Sequence, residues 1–383
     1  MTGQPIHVVH VSPRVQAHGG IEGILEIHRS LPWPQTFLAL FDRHPQSRPD
    51  YVNLDVAWHT PLWLMRRRLA AALSRRAGSM VIYHNGWGLP LFHDIDRAAR
   101  RVVFLHANPA YHAADLPAFA GLVDGAIGVT PALATVWGVM GSDLNPNRTL
   151  IVRAPIEPPP AATVLRRAAG DPVVLGYAGR IERPQKRLDR LPELLRALRA
   201  LGLPVRFELL GDGRMRAVLE RCLGEGAHFH GWVPKAEFWR VLASWDGIVF
   251  FSEFEGGAVA LFEAMAMGVV PFYPAIGGSW GDIYVPQIDS RCLYRPGDMM
   301  GLARAIQQVF QRPAEQLGSM RARGRELVKE HRRDTYEEAF LGLTQTIEKL
   351  PRISACRRRR ARVTDLLPLG LVTRLAPWAL RLA

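Results

Sequence analysis

The sequence predicts an α/β protein of two doubly wound parallel sheets facing each other across a cleft, and three observations carry that expectation. Short apolar runs alternate with helical patterns in both halves of the chain, as in parallel sheets whose crossovers are helices. The segment APIEPPPAAT, residues 154–163, has four prolines and can continue neither a helix nor a central strand. At 383 residues there is room for a buried core on either side of it. The expected organisation is an N-terminal domain over 1–153, a linker over 154–165, a second domain over 166–332, a helix over 333–350 packing back towards the first domain, and a basic amphipathic tail over 351–383.

In chain order, the first half has strand-like runs at 7–12 (HVVHVS), 36–41, 80–84, 101–106, 125–129 and 149–152. Between the second and third of these, a helix around 62–77 sets Leu62, Met65, Leu69 and Leu73 on one face, with Arg66, Arg67, Arg68, Arg75 and Arg76 around it. That spacing suits either core packing or a basic, apolar surface for a membrane. The second half has strands at 173–178 (VVLGYA), 205–210, 227–230, 247–251 and 269–273. From Gly256 to Trp280 the chain is apolar enough to resemble a membrane span. Its glycines (256, 257, 268, 277, 278) and prolines (271, 274) instead argue for loop, helix, strand and loop. Doubly wound sheets bind ligands outside the carboxyl ends of their strands, so chemistry is sought there.

Charge is unevenly spread. Of a formal +13, residues 351–383 supply +7, with eight Arg against one Asp. The tail interleaves this charge, including Arg357 to Arg360, with leucines, and Pro368 and Pro377 prevent a clean spanning helix. A segment lying on an anionic membrane surface, or a docked or disordered basic tail, fits that pattern. Only four basic residues are Lys (186, 235, 329 and 349), so a Lys is the informative one. Cys222, Cys292 and Cys356 have no paired spacing, which indicates neither a disulfide framework nor a zinc site. The N-terminus lacks a basic start followed by an apolar core, so a cytoplasmic location is expected.

Two segments carry the chemistry. Ser252-Glu253-Phe254-Glu255-Gly256-Gly257-Ala258-Val259 leaves a strand, turns through glycines and enters a helix that Gly268 can cap. Free amides at such a helix start favour an anion, while Glu255 in the loop and Glu263 in the helix offer acceptors for hydroxyl groups. The alternative is a solvated Glu pair, which the Ala, Leu, Phe and Met around Glu263 weaken. The second segment is Gly179-Arg180-Ile181-Glu182-Arg183-Pro184-Gln185-Lys186, before a helix from about Leu188. Arg180 and Lys186 can converge on a diphosphate, the first as a fork and the second as a point charge. Read alone, the segment favours an ordinary basic loop in an Arg-rich protein.

The order of motifs is more specific. Gly-Arg…Lys, Gly211-Asp212-Gly213, His230-Gly231-Trp232-Val233, Glu255 and Glu263 with seven residues between them, and Gly277-Gly278 together resemble the retaining glycosyltransferases of family 4. The resemblance covers about residues 6–350 and is strongest over 173–283. It implies the GT-B fold, two Rossmann-like domains, and a nucleotide diphosphate sugar as donor substrate with no cofactor and no metal. Carried over by position, Arg180 and Lys186 hold the diphosphate. Glu255 contacts the sugar with amides from Gly257, Ala258 and Val259, Glu263 binds the ribose, and Val233 lies at the base. In the first domain, Gly19 and Gly20 approach the diphosphate, and His106 lies near the sugar. The implied mechanism is a front-face displacement with retention, in which departing diphosphate oxygen helps accept the acceptor's proton. Ala258 stands where the family often has Gly, and Gly257 where an aromatic is common, so backbone contacts carry over while side-chain clues to the sugar do not.

Other signals weigh less. Asp94-Ile95-Asp96 fits a metal-binding expression but reads as surface, and His228-x-His230 has no evident third ligand. His84, ending a strand as His106 does, is a further candidate for the cleft. The function expected is sugar transfer, with a lean to GDP-mannose, onto a lipid-linked saccharide in polysaccharide or lipopolysaccharide assembly at the inner face of the cytoplasmic membrane. The rival enzymes are a phosphorylase or a nucleotide-sugar epimerase. A non-catalytic membrane or nucleic-acid binder leaves Glu255 and Glu263 unexplained, and the leucines beside Arg357 to Arg360 argue against nucleic acid as a partner.

Overall fold

The computed structural model describes residues 6–15, 20–42, 48–74, 80–95, 100–108, 112–113, 115–141, 144–157, 170–354 and 363–372. The chain forms two compact units, one of Met1–Val152 with Glu337–Ala383 and the other of Arg153–Tyr336.

Unit 1 is built on β1 (Val8–Ser12), β2 (Gln35–Ala39), β3 (Tyr51–Asn53), β4 (Met80–His84), β5 (Arg100–Leu105), β6 (Gly125–Gly128) and β7 (Thr149–Ile151). These pair in parallel in the order β3-β2-β1-β4-β5-β6-β7. The order reverses direction between β1 and β4, where doubly wound sheets open a crevice. β3 is absent from the sequence expectation because three residues at a sheet edge are too few to show a period.

Helix α1 (Gly20–Arg29) follows β1, and α2 (Leu62–Ser74) precedes β4. Leu62, Met65, Leu69 and Leu73 of α2 are all buried in the core of this unit. The apolar face that suggested membrane docking is therefore core. Arg66 donates to both carboxylate oxygens of Asp94 at 2.9 and 2.8 Å, and Arg68 donates to the Leu54 carbonyl at 3.1 Å. Part of the tail docks here too: Leu62 N–H donates to the Leu367 carbonyl, and Leu369 N–H to that of Thr60. Leu369 and Val372 are buried, while Leu366 and Leu371 stay exposed. The arginines at 357–360 lie outside the described residues. Short helices α3 (Leu89–Phe92) and α4 (Trp137–Met140) complete the N-terminal part.

Unit 2 repeats the plan with β8 (Val173–Ala178), β9 (Val205–Leu210), β10 (Ala227–Gly231), β11 (Gly247–Val249), β12 (Val270–Pro274) and β13 (Leu293–Tyr294), in the order β10-β9-β8-β11-β12-β13. β13 is a two-residue edge strand, again too short to be read. Its helices are α5 (Leu191–Ala200), α6 (Arg216–Leu223), α7 (Lys235–Leu242), α8 (Val259–Met267), α9 (Trp280–Ile288), α10 (Met299–Phe310) and α11 (Ala314–Leu327). The apolar stretch from 256 resolves into loop, α8, β12 and loop, and Gly268 closes α8 in the left-handed conformation at φ 76°. No helix among the described residues is long and apolar enough to cross a membrane.

Helix α12 (Arg333–Lys349) carries the chain into unit 1. Phe340 lies edge-on to His28 at 4.5 Å between ring centroids, and Ile347 is fully buried. Beyond it, buried Asp124 accepts from the Ile353 and Ser354 amides at 3.0 and 3.1 Å and from Ser354 Oγ at 2.8 Å.

Candidate active site

At the switch point of unit 2, the loops that leave adjacent strands β8 and β11 meet. Lys186 Nζ donates to Glu255 Oε1 at 2.7 Å, and Ser252 Oγ donates to the same oxygen at 2.5 Å. Gln185 fastens the two loops, its Nε2 donating to the Phe254 carbonyl at 3.1 Å and its carbonyl accepting from Glu253 N–H at 3.0 Å. Glu255 is buried and Lys186 nearly so, so this is an ion pair largely out of water, where removing either partner leaves a costly lone charge. Oε2 of Glu255 has no hydrogen-bond partner among the described residues, which leaves one carboxylate oxygen for a ligand hydroxyl.

Arg180, just past β8, is half-exposed and is held by Glu182 at 2.7 Å and Gln185 Oε1 at 2.8 Å. Its loop rests on the Gly211-Asp212-Gly213 turn: Gly179 N–H donates to the Leu210 carbonyl, and Ile181 N–H to that of Asp212. Gly211 has φ 120°, and a Cβ there would lie 2.0 Å from the Gly179 carbonyl oxygen, so only glycine lets the two turns touch. Arg187 and Arg190 both clamp Glu253. Glu253 is therefore structural, and Glu255 is the loop carboxylate left with capacity.

Gly257 and Ala258 lead into α8, and their amides donate to no group among the described residues. The Val259 amide donates to the Gly257 carbonyl at 2.8 Å, so the expected trio of free amides is a pair. Glu263, one turn into α8, is buried, and Lys235 Nζ donates to its Oε1. Burial pushes the Glu263 carboxyl up from its ordinary value, and Lys235 opposes the shift. Lys235 itself lies 4.9 and 4.8 Å from the ring centroids of Phe238 and Trp239. Val233, two residues before Lys235, is thereby brought to the same end of the sheet as Glu263. Lys235 and Ser252 are site residues that the motifs do not indicate, although the scarcity of Lys is a usable signal for the first. At Gly277-Gly278, Ser279 and Asp282 form a capping box for α9, and Asp282 also accepts from the Gly277 amide at 3.1 Å.

In unit 1, Gly20 opens α1, while Gly19 lies outside the described residues. His106 follows β5 and is half-buried, with its amide donating to Asn85 Oδ1 at 2.8 Å. His84 does not line a surface; it is fully buried, with Nδ1 at 2.8 Å from His106 Nε2 and Nε2 at 3.0 Å from His10 Nδ1. His10 Nε2 in turn lies 3.0 Å from Gln35 Oε1. Burial lowers the pKa of His10 to about 4 and of His106 to about 3, with neighbouring His112 and His10 adding to the latter, and it holds His84 well below its ordinary value. These rings are neutral near pH 7. Asp94 is committed to Arg66, and Asp96 lies outside the described residues. His230 lies 3.4 Å from Glu208, beside His228, and no three metal-ligating side chains converge among the described residues.

The curated 2-deoxystreptamine glucosyltransferase of Streptomyces kanamyceticus is 30% identical over 162 residues, and the match spans 41% of this chain and 41% of that protein. Among solved structures, the lipopolysaccharide outer core galactosyltransferase WaaB aligns with TM-score 0.68 at 16% identity, over 89% of this chain and 99% of its own. Anabaena HepE, solved in complex with UDP and glucose, aligns with TM-score 0.70 at 13% identity, over 90% of this chain and 100% of its own. These likenesses show the fold, two parallel-sheet Rossmann-like units of the GT-B kind. Residues 172–312, which hold the whole of the site in unit 2, match the family model described as glycosyl transferases group 1.

Proposed function

We propose that this protein transfers a hexose from a nucleoside diphosphate sugar to a hydroxyl of a saccharide acceptor, with retention at the anomeric carbon. The observation that carries the reading is the Lys186–Glu255 pair, held by Ser252 beside the unengaged amides of Gly257 and Ala258. Such a place has cationic and N–H groups for a diphosphate and a carboxylate oxygen for a sugar hydroxyl. Arg180 and Lys186 stabilise the charge that develops on the departing diphosphate. Glu255 Oε2 and Glu263 accept from hydroxyls of the hexose and the ribose, and the backbone at Val233 meets the base. His106 contacts the sugar.

The family match over 172–312 and the galactosyl- and glucosyltransferase names of the relatives support the activity. The HepE complex holds UDP, which sets UDP beside GDP as the nucleotide to test. A lipid-linked acceptor and contact with an anionic membrane rest on exposed Trp63, Leu366 and Leu371, on exposed Arg67, and on the basic composition of the tail. Calorimetric titration with UDP and GDP in the presence of chelator tests the donor site, with Arg180→Ala and Lys186→Ala alongside. Chelator-resistant binding of one nucleotide, weakened about tenfold or more in either variant, is expected. Equal binding by wild type and both variants would remove the diphosphate assignment.

A further inference from the structure

We propose that Gln35 sets the tautomer of His106 through His84 and His10, leaving His106 Nδ1 as an acceptor for a ligand hydroxyl. The four side chains cross neighbouring strands of one sheet, β2, β1 and β4 and the end of β5, in the order Gln35, His10, His84, His106.

The direction of every hydrogen bond follows from one carbonyl. Gln35 turns one end of its carboxamide to the His28 backbone oxygen, which can only accept. That end is therefore the NH2, and the end facing His10 is Oε1, so the flip ambiguity of an amide does not arise here. Oε1 carries no hydrogen, so His10 holds its proton on Nε2. A neutral imidazole has a single N–H, which makes His10 Nδ1 an acceptor and His84 Nε2 the donor to it at 3.0 Å. His84 Nδ1 then accepts, and His106 Nε2 donates to it at 2.8 Å. The depressed pKa values keep the three rings in this neutral form. The last ring has its N–H turned into the sheet and a bare Nδ1 with no partner among the described residues.

A bare ring nitrogen attracts an O–H or N–H and repels a carbonyl or carboxylate oxygen. His106 therefore selects a hydroxyl-presenting ligand, and Gln35, His10 and His84 are positioning residues that act through it. That the hydroxyl belongs to a donor sugar rests on the function proposed above; the tautomer does not.

The test is nitrogen NMR on the full-length protein labelled with 15N-histidine, at neutral pH. All three rings should show protonated Nε2 and bare Nδ1, with scalar coupling across both N–H···N contacts. An Nδ1–H form or a doubly protonated ring at His10, His84 or His106 overturns the proposal, and this needs no variant to fold. In Gln35→Leu the single His106 tautomer should become a mixture, and KM for the donor sugar nucleotide should rise about tenfold at unchanged nucleotide affinity. Gln35→Glu, which keeps an acceptor towards His10, should restore both. A single unchanged tautomer in Gln35→Leu rules out Gln35 as its source. If the tautomer is confirmed and no nucleotide sugar is turned over, the glycosyl-transfer reading falls while the ring assignment stands.

Discussion

Glu255 shows how much one carboxylate's surroundings decide. It shares its loop with Glu253, and the two are indistinguishable by residue type. Glu253 is consumed by Arg187 and Arg190, while Glu255 is buried with one oxygen taken by Lys186 and Ser252 and the other uncommitted. Glu255→Gln keeps the shape but removes the charge that pairs with Lys186 and weakens acceptance from the sugar. Turnover should fall about 10²- to 10³-fold while nucleotide affinity stays within about threefold. Parallel rate and calorimetric measurements check this, and joint loss of both would contradict the placement of Glu255 at the sugar. The scarcity of Lys is legible in the composition and points at Lys186, which the structure pairs with Glu255. It points as well at Lys235, whose meaning depends on Glu263 lying 28 residues away in sequence.

At the scale of elements, turns and helix faces differ in how far the sequence encodes them. The Gly211-Asp212-Gly213 turn was recognisable as a motif, and its physical reason is backbone contact with the turn that carries Arg180. Gly211→Ala forces a side chain onto the Gly179 carbonyl at positive φ, so a loss of about 1–3 kcal/mol is expected with weaker nucleotide binding, measurable by denaturant melts and titration. Unchanged nucleotide affinity would show that the Arg180 loop does not depend on this packing. The face of α2 was ambiguous because a helix that docks on membrane and one that docks on a sheet share one periodicity; burial of Leu62, Met65, Leu69 and Leu73 resolves it. The tail turned out partly docked for a similar reason, since its leucines find the same core. Leu369→Ala, in a fully buried position, should cost about 2–5 kcal/mol. A stability change under about 0.5 kcal/mol would show that the docked segment contributes little to the fold.

For the molecule as a whole, the buried histidines make stability depend on pH. His10, His84, His106 and His112 in unit 1 and His331 in unit 2 have pKa values lowered by burial, to about 4 for His10, His112 and His331 and about 3 for His106. The unfolded chain binds these protons near pH 6.5, before the folded one does, so stability is full above that pH and declines as pH falls through about 6.5 to 4. Thermal midpoints taken between pH 7.5 and 5 should drop steadily; a flat profile would mean that the rings are hydrated in solution.

What the sequence determined by itself was whatever local order encodes: two rounds of alternating strand and helix, the proline-rich break between them, and a series of motifs at the strand ends of the second round. Apolar periodicity and turn chemistry act over a few residues, so they survive in a one-dimensional reading. Only the tertiary structure decided which side chains meet. His10, His84 and His106 are 74 and 22 residues apart, and they form a row because β1, β4 and β5 are sheet neighbours in a particular register. Edge strands β3 and β13, the role of Lys235 and the covered face of α2 were hidden for the same reason: each is settled by long-range pairing and burial, which spacing along the chain does not record.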